Sequence, residues 1–578
     1  MKRLLFFALT LLPAFPTVVA AQAPTVPIQD FFKNYFEEQL KDEPENATSV
    51  GRHDYDDHWS DLSKAGRDRH LGHLRSRLAE LNKYDFSKLL EQDRLSARLL
   101  HYELTSQIEA NDLSVHLLRV GQLYGFHNRV YLTMDRMPAR TLGDYQNILS
   151  RLRGIPTYVD QNLAILDEAI EEGWTQPAVV IDRVTKQIDA QVAQEKKDSP
   201  LLAPFRNFPS NFTPQEQAKL RADGDAAYDN EFLPAWRKLQ KYMKETYAPK
   251  ARKTDGIGGV PGGKEAYAIL VRRLTTTNAT PEEIHKTGQA ELQRLESEML
   301  ATARETGFGG TLEEFEKKLD AIPEEHFHSK DEMLIYSRNA AKIIEPQLPT
   351  LFKKIPILLY GVRPIPPDRE AATATNAQAP SPDGSTPGWF NLNTYQPEKQ
   401  VRYDKQALVL HEAVPGHVFQ GAVARSMTGL PDFRRFYGNS AYGEGWALYA
   451  ESLGGQLGLY TDPYDRFGRL ASERFRAVRL VVDTGIHSMG WTREQAIAFF
   501  QEHAPQESLA EVDRYISWPG QALAYKMGQL EIMKLRKEAQ LKLGAKFDIR
   551  EFHDVILRDG ALPLELLDEQ GQKYINSK

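Results

Sequence analysis

Apolar residues recur at three- and four-residue steps through most of the chain. Phe31, Phe32, Tyr35, Phe36 and Leu40 open the series, and that spacing lays one apolar stripe along an α-helix. The stretches from Asp85 to Glu109 and from Thr141 to Glu172 repeat it, so residues 30–250 read as helix after helix. Strand-like alternation is scarce. The best short strand is Trp389-Phe390-Asn391-Leu392-Asn393-Thr394. Thr280-Pro281-Glu282-Glu283 reads as a helix start, with a capping hydroxyl, proline in the first turn and early acids. Two stretches break the pattern. Residues 251–264 (ARKTDGIGGVPGGK) read as a loop joining two helical halves, and residues 363–388 as a long exposed loop rich in Pro, Ala, Thr and Gly. Gly262-Gly263-Lys264 is followed by Glu265 rather than Ser or Thr, so it fails the phosphate-loop pattern. Beyond residue 405 the helical period returns. The expectation is a mainly α protein. Residues 22–253 form an N-terminal helical subdomain and residues 254–578 a second one that carries the chemistry.

The chain has 578 residues, more than one ordinary core accommodates. Its 41% hydrophobic and 26% charged residues are those of a folded globular protein. The net charge of -7 comes from mixed acids and bases. No basic block invites nucleic acid. Lys2 and Arg3 precede an apolar run from Leu4 to Ala20, which Pro13 and Pro16 break and small residues follow. Residues 1–21 therefore read as a signal peptide, with no stable membrane anchor. The chain has no cysteine, which excludes disulfides, a thiol nucleophile, a cysteine metal site and a lipidated cysteine. Export without disulfides suits a bacterial periplasm or cell exterior. Any metal must be held by histidines and carboxylates.

The apolar run Leu408-Val409-Leu410 leads directly into His411-Glu412. The usual helical zinc site is H-E-x-x-H, with two histidines one turn apart and the glutamate acting on the metal-bound water. Here the second histidine is His417, six residues on. Six residues turn a straight helix by about 240°, which would point the two rings apart. Pro415-Gly416 offers the remedy. Proline removes a turn-closing N–H and glycine frees the backbone to bulge. A break there brings His417 back beside His411. Glu444, between Gly443 and Gly445, is the expected third ligand, with the reverse assignment to Glu451 as the alternative. Glu451, seven residues further on the same helix face, reads either as a partner for a ligating histidine or as an exposed acid.

HEAVPGHVFQ followed by GEGWALYAE resembles the bacterial domain-of-unknown-function family DUF885. PDGSTPGWFNLNT, RLVVDTGIHSMGWTREQAI, RYISWPGQALAYKMGQ and GVPGGKEAY with TTTNATPEEIH extend the likeness over most of the chain. That family is grouped with gluzincin-type metallopeptidases, whose better-understood relatives in fold are angiotensin-converting enzyme and the thimet oligopeptidases. The resemblance implies an elongated multi-helix fold with a deep central groove. It also implies one zinc ion on His411, His417 and Glu444, with Glu412 as general base. A small β element beside the metal helix then reads as an edge that pairs with substrate backbone through Asn391 and Asn393, or as a structural hairpin.

Amide hydrolysis also needs a group that stabilises the oxyanion. His487, Tyr515 and Tyr525 are the candidates. Asp483 stands four residues before His487, where it would orient that ring. Arg514 and Lys526 are candidates for a substrate carboxylate. The expected activity is zinc-dependent hydrolysis of short peptides in the cell envelope. The alternatives are a zinc amidase acting on another acylated amine, such as a peptidoglycan fragment, and a degenerate member that binds peptides without cutting them.

Overall fold

The computed structural model describes residues 24, 26–356, 359–367, 370, 373–381 and 386–578. The expected signal peptide, and residues 382–385 of the second loop, lie outside the described residues. No helix of the described residues is long and apolar enough to cross a membrane.

The chain is mainly helical. Ile28–Asp42 buries Phe31, Phe32, Tyr35, Phe36 and Leu40, the stripe read from the sequence. The long helix Leu142–Glu172 starts at a capping box in which Thr141 and Asp144 satisfy each other's backbone N–H groups. Thr280 and Glu283 do the same for Pro281–Glu305. That helix packs along Pro463–His487, and Gly288 is the point of closest approach. A Cβ there would sit 2.8 Å from Leu480 Cβ and from Val481 Cγ2.

The loop at 251–264 does not separate two cores. One buried cluster joins Phe31, Phe36 and Leu99 to Leu410, Trp446 and Ile556. A second joins Tyr145, Phe205 and Trp236 to Val478, Phe500 and Tyr515. Each draws side chains from both sides of residue 253. The N-terminal helices thus wrap the later ones instead of folding apart from them.

The only sheet among the described residues has three strands in the order β1-β3-β2: β1 Tyr360–Pro364, β2 Asn376–Gln378 and β3 Gly388–Leu392. β3 is the strand expected from the sequence, but it is not an edge. It pairs in parallel with β1 along its whole length and antiparallel with β2 from Trp389 to Asn391. Both flanks of its backbone are taken, so substrate cannot add to it. β1 overlaps the start of the 363–388 stretch and β2 lies in its middle. They alternate too briefly to stand out from a proline-rich sequence.

Candidate metal centre

The helix Lys405–Glu412 does break after Glu412. Ala413 leaves helical geometry at φ -93° and ψ -97°, the Val414–Pro415 bond is cis, and a new helix starts at His417 and runs to Ser426. Gly416 closes the break tightly. A Cβ on it would lie 1.9 Å from the His411 carbonyl oxygen and 2.3 Å from that of Leu410. Trp446 Nε1 donates to the Pro415 carbonyl at 2.7 Å and pins the break to the next helix. As a result the His411 and His417 rings stand 4.9 Å apart, nearly perpendicular.

Glu444 comes from the helix Ser440–Glu451, which Asn439 caps. Its flanking Gly445 serves packing. A Cβ there would sit 2.4 Å from the Cα of Gly528 on the helix Ala524–Leu543. The two backbones touch at this glycine pair, and one turn before Gly528 the second helix presents Tyr525. Its ring lies 6.3 Å from that of His411 and nearly parallel to it.

Glu444 Oε2 lies 3.2 Å from His417 Nε2 and 3.5 Å from His411 Nε2. One ligand atom from each of the three residues falls within 4.8 Å of the others. Donors about 2.0–2.1 Å from a tetrahedral zinc lie about 3.3 Å from one another, and both Glu444–imidazole distances match that spacing. His411 is buried, whereas the His417 and Glu444 side chains keep 23% and 22% of their exposure. The site is therefore walled on one side and open on the other, as a catalytic metal with an exchangeable water requires.

The surroundings suit that role. Glu451 is buried and accepts a hydrogen bond from His411 Nδ1 at 2.8 Å. Nδ1 is thereby held protonated, so Nε2, which faces Glu444, is the nitrogen that would give up its proton to take an ion. Burial would lower the His411 pKa, but the Glu444 and Glu451 carboxylates outweigh it and raise it to about 9. Burial likewise opposes ionisation of Glu444, yet His417 and His411 hold its carboxyl well below the usual range. Two imidazoles and a carboxylate so disposed would release their protons on taking up a cation. Glu412 is buried, and burial raises its pKa. Its Oε2 is buried and has no hydrogen-bond partner, an orphaned acceptor next in sequence to His411. Glu451→Gln should keep the fold and weaken zinc about 10- to 100-fold, as read by competition with a chromogenic chelator. Unchanged affinity would reduce Glu451 to a packing residue.

The other residues singled out from the sequence divide. Tyr525 reaches the trio. Tyr515 does not: it is fully buried, and its hydroxyl accepts from Arg479 Nε at 3.1 Å. His487 is also turned away. Its Nδ1 accepts from the Ile257 N–H at 3.0 Å and its Nε2 donates to the Tyr515 carbonyl at 2.9 Å. Both nitrogens serve the backbone and none is left for an oxyanion. Asp483 does not orient it, because its carboxylate accepts instead from the Tyr267 hydroxyl at 2.6 Å and the Gly520 N–H at 3.0 Å. The four-residue spacing holds, but those partners lie nearer than the imidazole. Lys526 is sealed in, paired with Glu473 at 2.7 Å and Glu291 at 2.8 Å. Asn391 bonds Asn376 and Arg363 across the sheet. Asn393 donates to the Glu370 and Thr373 carbonyls. Both asparagines are thus engaged within the sheet and its loop. Arg514 bonds Tyr525 at 3.1 Å and so lies near the trio.

Burial lowers the His487 and His553 pKa values to about 3 and that of His127 to about 4. These rings stay neutral in the fold and charge on unfolding near pH 6.5. Their contribution is therefore complete above about pH 6.5 and is lost as the pH falls towards those values. His487→Gln should flatten the fall in melting temperature between about pH 6.5 and 4. An unchanged slope would refute the neutral assignment.

The sequence matches the family described as "Bacterial protein of unknown function (DUF885)" over residues 44–570. The chain belongs to this family. No curated protein matches it. Among solved structures, a candidate lipoprotein from Colwellia psychrerythraea is 26% identical with a TM-score of 0.88, over 95% of this chain and 99% of that one. A candidate lipoprotein of unknown function from Shewanella oneidensis shares the fold at 20% identity. Its TM-score is 0.72, over 94% of this chain and 99% of that one. Such neighbours are compatible with a place outside the cytoplasm.

Proposed function

We propose that the protein is a zinc-dependent peptidase that hydrolyses short peptides in the cell envelope. One observation carries the reading. His411, His417 and Glu444 converge with zinc-ligand spacing, and beside them the buried Glu412 carries an oxygen without a partner. A purely structural metal site would have no use for that oxygen.

His411 Nε2, His417 Nε2 and one Glu444 oxygen would hold the ion. When bound, zinc polarises the scissile carbonyl and lowers the pKa of its water towards about 7. Glu412 takes the proton from the attacking water and passes it to the leaving amine. Its burial suits both steps, because a raised pKa brings the carboxylate closer to the amine it must protonate. Tyr525, tethered by Arg514 beside His411, would donate to the developing oxyanion. Glu451 holds the His411 tautomer.

The test is cleavage of a diverse peptide library, followed by mass spectrometry, with the zinc content measured in parallel. The expected result is about one zinc per chain and cleavage that a chelator stops and added zinc restores. Zinc without cleavage of any peptide would favour an amidase acting on another acylated amine. Neither zinc nor cleavage would favour a peptide-binding protein.

A further inference from the structure

Three arginines gather around Tyr525. The Arg479 guanidinium carbon lies 4.5 Å from the centre of its ring, and those of Arg476 and Arg514 lie 6.0 Å away. Arg476 and Arg479 project from one face of the helix Pro463–His487, three residues apart, and Arg514 from the helix Ala510–Ser517. Arg476 Nη2 also lies 3.7 Å from Glu451, the residue that orients His411. The arginines thus border the metal trio through two contacts, Tyr525 and Glu451.

Their donors are not used up. A guanidinium has five N–H groups. Arg479 spends Nε on Tyr515 and Nη2 on Glu511, leaving buried Nη1 without a partner. Arg514 reaches Gln521, Tyr525 and, at 3.4 Å, Glu511, leaving its Nε without one. Arg476 spends Nη1 on Ser472, and its Nε is unpartnered too. The acids that face the group are Glu412, Glu451, Glu507 and Glu511, with Asp483 facing Arg514. Of these, Glu511 is divided between Arg479 and Arg514, and Glu451 is engaged by His411. Lys526 makes the contrast, since Glu473, Glu291 and Gln529 surround its ammonium. Arg476 and Arg514 keep 12% and 18% of their side-chain exposure, while Arg479 is sealed behind them. Planar forks with spare donors, beside a hydrolytic centre, match a carboxylate.

We propose that Arg476 and Arg514, backed by Arg479, bind the free C-terminal carboxylate of the substrate, so that the enzyme cuts near the C-terminal end of short peptides. This rests on the peptidase reading for its chemistry, but its test is one of binding.

Zinc-loaded Glu412→Gln protein, immobilised, would be offered an equimolar mixture of N-acetylated hexapeptides with free and with amidated C-termini. Mass spectrometry would quantify what is retained. Free termini should be enriched about 10- to 100-fold, the worth of one or two charge-assisted bonds. Arg476→Gln in the same background should bring the ratio towards one, with its melting temperature and zinc content checked to exclude misfolding. Equal retention, or none of either form, would overturn the proposal. Retention of amidated peptides rich in Asp and Glu would do so too, by placing a side-chain carboxylate there instead. Failure of the peptidase reading would look different: preferential binding of free termini with no cleavage by the wild-type protein.

Discussion

Glu412→Gln should retain zinc at the wild-type level and lose peptide hydrolysis by about 100- to 10,000-fold, the usual worth of a general base. The amide matches the carboxylate in size, so the packing around residue 412 survives. It cannot take a proton from water. Stability should not fall, because the exchange removes a buried acid whose ionisation burial already opposes. Three measurements separate the outcomes: kcat on a cleaved peptide, zinc per chain and the melting temperature. Near-normal kcat would remove Glu412 from the reaction. Lost zinc would make it a ligand. A collapsed melting temperature would make it structural.

Gly416→Ala gives the second large effect, and it acts through geometry alone. The added methyl would lie 1.9 Å from one carbonyl oxygen and 2.3 Å from another. Both belong to the last turn of a buried helix, so relief must come from the backbone that places His411 and His417. We expect zinc affinity to fall at least about 100-fold, because the ligands are misplaced by a fraction of an ångström or more. Stability should fall by about 1–3 kcal/mol, as in other overpacked sites. Gly429→Ala is the control. It meets no atom within 4 Å, and its φ of +97° makes it strained for backbone reasons alone. A Gly416→Ala protein that binds zinc like the wild type would show that the tight break is not what sets the ligand spacing.

Much of the architecture was legible because helices announce themselves. Phe31, Phe32, Tyr35, Phe36 and Leu40 all face one core, and Thr280 and Thr141 cap the helices whose starts they mark. The three ligand candidates were also readable, since His-Glu after an apolar run and a glutamate between glycines are rare patterns. The failure of the H-E-x-x-H spacing pointed to the Pro415-Gly416 break instead of away from a site. What the sequence concealed is the product of long-range packing. Nothing local says that Gly445 meets Gly528, yet that contact brings Tyr525, and not Tyr515, beside His411. The spacing of Asp483 and His487 is genuine, but backbone groups from residues 257 and 515–520 satisfy both. Lys526 looked free until Glu291 and Glu473 arrived from two other helices. β3 looked like an edge because β2 hides in a stretch rich in alanine, threonine and proline. Arg476 and Arg479 carry no local mark of a site, though Arg479 stands four residues before Asp483. Only the fold shows them beside Tyr525.

The proposed chemistry requires one ion in one place. Anomalous diffraction at the zinc edge, on crystals grown from protein purified without chelator, tests it directly. We expect a single strong peak within about 2.0–2.2 Å of His411 Nε2, His417 Nε2 and a Glu444 oxygen, with a fourth position held by water. A peak elsewhere, or zinc-replete crystals with none at these three residues, would contradict it.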